Sequence, residues 1–161
     1  MRTLDLEVFL PYRLNRVATA VSEQLREVYG RKFGLTIPEW RVLATLAQFP
    51  RSTAKAAGRH ARLHKTKVSR AVQALEERRW LARSENPDDR REEFLALTAT
   101  GLQAYGAIVP DMTAFEARLL ASLGPDGTRA VLHALDRLED VLELGGGRPG
   151  PAPAGGPEQE P

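Results

Sequence analysis

Cysteine is absent from the 161 residues, which excludes a disulfide framework, a thiol nucleophile, thiolate metal sites and cysteine redox sensing. No apolar run approaches the ~18 residues that span a bilayer, so no membrane partner is expected. The opening MRTLDLEVFLPYRLNR lacks the apolar block of a signal peptide, and the expected compartment is the cytoplasm. No G-x-x-x-x-G-K-[ST], G-x-G-x-x-G or G-x-S-x-G occurs, and no Ser/His/Asp set stands in a recognisable catalytic context. An enzyme is therefore not expected. His60, His64 and His133 have neither cysteines nor dense acidic neighbours beside them, so neither a metal nor a cofactor is expected. Acidic residues are missing from Arg51 to Arg70, a stretch with seven Lys or Arg.

What is present fits a soluble domain, or a domain with an arm: 42% apolar and 27% charged residues. The net charge is only +2, but its distribution is uneven. From Arg51 to Arg91 there are 12 basic and 5 acidic residues, and the rest of the chain is net acidic. Such a block is the footprint of a polyanion partner, or else a solvated basic face. Residues 145–161 hold 11 Gly or Pro and no apolar side chain larger than Ala, and are expected to be a disordered tail.

Leu10, Leu14, Val17, Val21, Leu25 and Val28 recur at helical steps and predict a helix of about five turns ending at Gly30 or Gly34. Thr36 and Glu39 form a capping box for a second helix carrying Trp40, Leu43 and Leu46. Ser52 or Thr53 can cap a short third helix to about Arg62, and a turn at Leu63-His64 leads into a fourth. Trp80–Glu85 and Glu92–Leu97 suit two strands joined by the turn Asn86-Pro87-Asp88-Asp89-Arg90-Arg91. Thr98 or Thr100 starts a long helix with Leu102, Tyr105, Ile108, Met112, Phe115 and Leu119, which Pro110 is expected to kink and Gly124 to break. Val131, Leu135, Leu138 and Leu142 mark a last helix.

The fourth helix decides the reading. At 100° per residue Val68, Val72 and Leu75 fall within about 40° of one another and face inward. Thr66, Arg70 and Gln73 lie opposite, with Lys67 and Ser69 on the flanks. Arg and Gln suit bidentate contacts to base edges, and Ser, Thr and Lys suit phosphates. Helix, helix, reading helix and hairpin in this order form a winged helix-turn-helix. The predicted class is mostly α with a two- to three-stranded wing. DNA contacts are expected from Lys65, Thr66, Lys67, Ser69, Arg70 and Gln73 on the helix and from Arg90 and Arg91 at the wing tip, where an arginine can enter a minor groove.

The run Lys65-Thr66-Lys67-Val68-Ser69-Arg70-Ala71-Val72-Gln73-Ala74-Leu75-Glu76 resembles the recognition-helix signature of the MarR family of bacterial regulators. Asn86–Arg91 is similar to that family's D-P-x-D-R-R wing, and Leu97-Thr98-Ala99-Thr100-Gly101 to its L-T-x-x-G entry into the next helix. Asn86 replaces the usual first acidic residue, and Arg79-Trp80 stands where many members carry a glycine. The resemblance implies a homodimer on a pseudo-palindromic double-stranded operator, with residues 1–33 and 99–143 as the helical dimerisation base and 34–98 as the DNA-binding domain. It also implies a small anionic or aromatic ligand, or its thioester, bound between base and head. Tyr12, Arg16, Trp40 and His64 are the candidate ligand residues, with an ion-pair role for Arg16 and a core role for Trp40 as the alternatives. The function expected is a ligand-released repressor. A constitutive regulator or activator without an inducer, and a non-specific architectural DNA-binding protein, are the alternatives.

Overall fold

The computed structural model describes residues 3–87, 89 and 91–144. Its elements are α1 (Leu10–Phe33), α2 (Ile37–Gln48), β1 (Ser52–Thr53), α3 (Ala54–His60), α4 (Lys65–Glu77), β2 (Leu81–Glu85), β3 (Glu93–Leu97) and α5 (Ala99–Val141). Helices dominate, and the three strands form one antiparallel sheet in the order β1-β3-β2. The tail 145–161, expected to be disordered, lies outside the described residues.

Local chemistry sets the element ends. The α2 capping box forms as expected, with Glu39 N–H donating to Thr36 Oγ1 and Thr36 N–H donating to Glu39 Oε2. Thr53 caps α3 by accepting from Ala56 N–H. Of the two glycines expected to end α1, Gly30 stays inside the helix and Gly34 ends it in the left-handed region at φ 64°. Arg78 reinforces that end, its guanidinium donating to the carbonyls of Phe33 and Gly34 at 2.8 and 3.0 Å. A cation there complements the negative end of the helix dipole. The third strand of the expected two- to three-stranded wing is β1, whose position the sequence did not locate; it pairs Ser52 with Leu95 and Thr53 with Phe94. Two residues are too few to show the alternation by which strands are read in a sequence.

The chain forms two compact units, the first ending at Arg118 and the second beginning at Leu119. In the first, Val42, Leu43 and Leu46 of α2 meet Val68, Val72 and Leu75 of α4, closed by Leu81 and Leu95 of the sheet. Tyr29 of α1 and Ile108 of α5 complete this core. Trp40 stacks on both Tyr29 and Tyr105, with ring centroids 5.4 and 5.9 Å apart. Burial raises the Tyr29 phenol above its ordinary pKa, against a smaller pull downward from Arg41 and Arg26.

The junction between wing and α5 explains the Leu97–Gly101 motif. Thr98 N–H donates to the Trp80 carbonyl, Thr98 Oγ1 donates to the Arg79 carbonyl, and Gly101 N–H donates back to Thr98 Oγ1. The helix start is thereby pressed onto the backbone of Trp80. A Cβ at position 101 would lie 2.0 Å from the Trp80 carbonyl oxygen, so only glycine fits. Helical dihedrals persist through Pro110; the one departure within α5 is Gly124 at φ 68° and ψ 173°, where the sequence placed the break. In the second unit Leu123, Val131, Leu132, Leu135 and Leu142 are exposed. In the first unit, Leu10, Leu14 and Val17 at the start of α1 are exposed as well.

Candidate nucleic-acid interface

The reading helix α4 starts at its N-cap His64, whose Nδ1 accepts a long, 3.5 Å hydrogen bond from Thr66 N–H. Gly58 lets α3 approach it, since a Cβ there would meet Val68 Cγ2 at 2.8 Å. Val68, Ala71, Val72 and Leu75 are buried. Lys65, Thr66, Lys67, Ser69, Arg70 and Gln73 are all exposed. The division into inward apolar and outward polar faces is the one the helical period predicts. Among the described residues no carboxylate lies within 4 Å of Lys65, Lys67 or Arg70. Their charge is not spent on the fold. Gln73 donates from Nε2 to Glu77 Oε1 at 3.0 Å, a partner one turn on that orients its amide.

Both ends of this module turn through left-handed arginines. Arg62 (φ 53°) ends α3, and Arg79 (φ 60°) ends α4. In each case the following N–H reaches back to the last turn: Leu63 to the Gly58 carbonyl, Trp80 to the Leu75 carbonyl, both at 2.9 Å. Arg79 thus occupies the backbone conformation that glycine adopts most cheaply. The substitution noted in the sequence leaves the turn intact and adds strain there.

In the wing, β2 pairs with β3 from Leu81↔Leu97 to Glu85↔Glu93. Arg91 is exposed, and its backbone N–H donates to Asp89 Oδ1 at 3.0 Å, so this aspartate fixes the turn. Arg90 lies outside the described residues. Asn86, just after β2, is 8% exposed, and a neutral amide there avoids burying a carboxylate. A cleft of about 640 Å³ opens between α3, α4 and the wing, and Lys55, Arg59, Lys65, Ser69 and Arg91 line it.

Arg83 was missed in the sequence. From the middle of β2 its Nε and Nη2 reach Glu76 Oε1 and Oε2 on α4 at 2.8 and 3.0 Å, and its Nη1 reaches Glu93 Oε2 on β3 at 2.9 Å. Hydrogen bonds from Glu76 first, then Glu93, raise its pKa still further above the ordinary arginine value. No local pattern announces such a clamp, because its partners are seven residues before and ten after.

The four candidate ligand residues fall into separate sets of contacts. Arg16 is ion-paired to Glu7 at 3.0 Å and sits 6.0 Å from the Tyr12 ring centre. Trp40 is committed to the Tyr29 and Tyr105 stack, and His64 to capping α4. Tyr12 and Arg16 are therefore together on α1, while Trp40 and His64 hold the fold.

With this geometry in place, comparison with known proteins is specific. A sequence profile of the MarR family matches residues 33–92, from the end of α1 to the edge of β3. The HTH-type transcriptional regulator YwoH of Bacillus subtilis strain 168 is 28% identical over 124 residues, 77% of this chain and 89% of its own. A MarR family transcriptional regulator of Silicibacter pomeroyi DSS-3 is 28% identical, with a TM-score of 0.74 over 87% of this chain and 99% of that one. BpsR of Bordetella bronchiseptica, whose DNA binding is regulated by 6-hydroxynicotinic acid, shares the fold at 19% identity, with a TM-score of 0.74 over 86% of this chain and 99% of that one. The exposed cationic face of α4 and the first strand of the wing beside it thus lie within the segment, residues 33–92, that matches the MarR family, and over most of its length the chain is similar to a transcription regulator of that family.

Proposed function

We propose that the chain acts as a homodimeric, sequence-specific repressor on a pseudo-palindromic operator, and that a small anionic aromatic ligand releases it. The observation that carries the DNA half is the set of cations Lys65, Lys67 and Arg70 on the outward face of α4, without an ion-pair partner among the described residues and above a face locked into the core. Arg70 and Gln73 are the base-reading residues; Lys65, Thr66, Lys67 and Ser69 hold phosphates; Arg91 and Arg90 serve the flanking minor groove. The dimer half rests on the exposed apolar side chains of both units, from Leu10 to Val17 and from Leu119 to Leu142. Solvated apolar stripes of this kind mark association surfaces. Residues 1–33 and 99–143 are the segments assigned to that association, and 34–98 to DNA.

The ligand half rests on Arg16 and Tyr12. A carboxylate-bearing ring would take Glu7's place on the Arg16 guanidinium and stack near Tyr12, a substitution of one charged partner for another. The ring-regulated DNA binding of BpsR, a protein of the same fold, supports this choice of chemistry. Such a ligand shifts the protein off DNA only by its differential affinity for the two states, and DNA weakens the ligand by the same factor.

The test is Arg70→Ala against a duplex that the wild-type protein enriches from a random pool. The variant is expected to remain folded and to lose about 1–3 kcal/mol per half-site on that duplex, with little change on a scrambled one. Equal binding by both proteins removes α4 as the reading element. A titration with aromatic acids separates the ligand half: an acid that releases wild type and Arg16→Ala at equal concentration places the pocket elsewhere.

A further inference from the structure

The wing of a reading head is useful only if it meets the duplex at a fixed angle to the recognition helix. Here main chain joins α4 to β2 through Arg78, Arg79 and Trp80 alone, and Arg79 is in a left-handed conformation. One side chain spans the same gap. Arg83 grips Glu76 of α4 in a bidentate fork and Glu93 of β3 with its remaining nitrogen. A fork fixes the guanidinium plane as well as its distance, which a single-point ion pair does not. The arginine and Glu76 side chains are 39% and 34% exposed, so the fork is partly withdrawn from solvent. Glu93 stands directly opposite Glu85 across the hairpin, a like-charge pair that is unfavourable unless a cation intervenes.

We propose that Arg83 is a positioning residue for DNA recognition, locking the wing to α4 so that the two elements meet the duplex as one body. The proposal rests on the reading of α4 and the wing as the DNA-binding face. Arg83 is not assigned as a DNA contact, because each of its three nitrogens already donates to one of the two glutamates, whose carboxylates more than balance its charge. It acts on Arg91 through the angle of the hairpin that carries it.

Charge offers a competing explanation, since removing Arg83 exposes two carboxylates beside a polyanion. The experiment therefore compares Arg83→Met with the triple variant Arg83→Met, Glu76→Gln, Glu93→Gln. The triple variant lacks the clamp but leaves a local charge of zero, one unit more favourable to DNA than the wild type. The probe is a duplex enriched from a random pool by the wild-type protein. Both variants are expected to bind it about fivefold to tenfold more weakly, with the loss concentrated at the flanking base pairs that the wing covers. Amide exchange in β3 of the free proteins should quicken in both while α2 stays protected, which shows a loosened wing on an intact core. A triple variant that binds as tightly as wild type, or unchanged exchange in β3, overturns the proposal while the DNA-binding reading stands. A wild-type protein that enriches no duplex overturns the DNA-binding reading and this proposal with it.

Discussion

The head and the arms carry the same kind of apolar periodicity, and only the head satisfies it within one chain. Val42, Leu43, Val68, Val72 and Leu75 recur at helical steps and are all buried. Leu10, Leu14 and Val17 also recur at helical steps, and so do Val131, Leu135 and Leu142; every one of these is exposed, Val17 at 61% and Leu142 at 59%. A hydrophobic stripe therefore specifies that something will cover it, without specifying what. In the head the cover is the neighbouring helix, brought round by short capped turns. In the arms no cover is found among the described residues, and the proposed dimer would supply it.

The sharpest way to break this contrast is at the tightest point of the head. Gly101→Ala forces a Cβ into the Trp80 carbonyl, and the start of α5 must move off the wing. A loss of about 3 kcal/mol of unfolding free energy is expected, measured by urea denaturation. A near-neutral result would mean that the junction is not rigid.

The arms are tested by Val17→Glu. A charge at this exposed position leaves the fold of the single chain untouched, but in an association surface it costs about 2 kcal/mol or more per protomer. Sedimentation equilibrium over a range of concentrations should show weakened self-association with an unchanged circular dichroism spectrum. Unaltered self-association would place the dimer surface elsewhere than the start of α1.

A gain should come from Arg79→Gly. Relieving a non-glycine left-handed residue is expected to add up to about 1 kcal/mol of stability, while the Trp80 bond to Leu75 is kept. No gain in melting temperature would show that the Arg79 side chain offsets its own strain.

The smallest effect is a pH signature of the head core. Burial raises the Tyr29 pKa above 10.0, so the phenol of the unfolded chain ionises first as the pH rises. The unfolded state then holds fewer protons, and stability falls with pH above about 10. Tyr29→Phe lacks that loss; the stability of wild type relative to the variant should be constant near neutral pH and decline in alkali. A difference that stays constant up to about pH 11 would show that the ring is solvated.

Much of the head was legible because its signals are local. The capping box at Thr36 and Glu39, the Thr53 cap and the inward face of α4 all lie within a few residues of the structure they cause. The Leu97–Gly101 motif was legible as a pattern, while its cause, the close approach to Trp80, needed the fold. What escaped depends on distant partners: Arg83 with Glu76 and Glu93, Arg78 with the end of α1, and β1 with β3. The stacking of Trp40 and the helix cap of His64 were likewise hidden, because a ring or an imidazole suited to a ligand serves a core or a cap equally well, and nothing in the neighbouring residues announces which contacts it makes.

The central claim is that paired heads read a duplex through α4, with cations for phosphates and Arg70 and Gln73 for bases. The most direct test is the salt dependence of binding to the enriched duplex and to its scrambled counterpart. Two heads presenting Lys65, Lys67, Arg70 and the wing arginines should lose about a thousandfold or more in affinity between roughly 50 and 200 mM salt. The scrambled duplex should show a similar dependence at an affinity lower by about a thousandfold or more. An affinity that hardly changes with salt, or one equal for the two duplexes, would contradict the account.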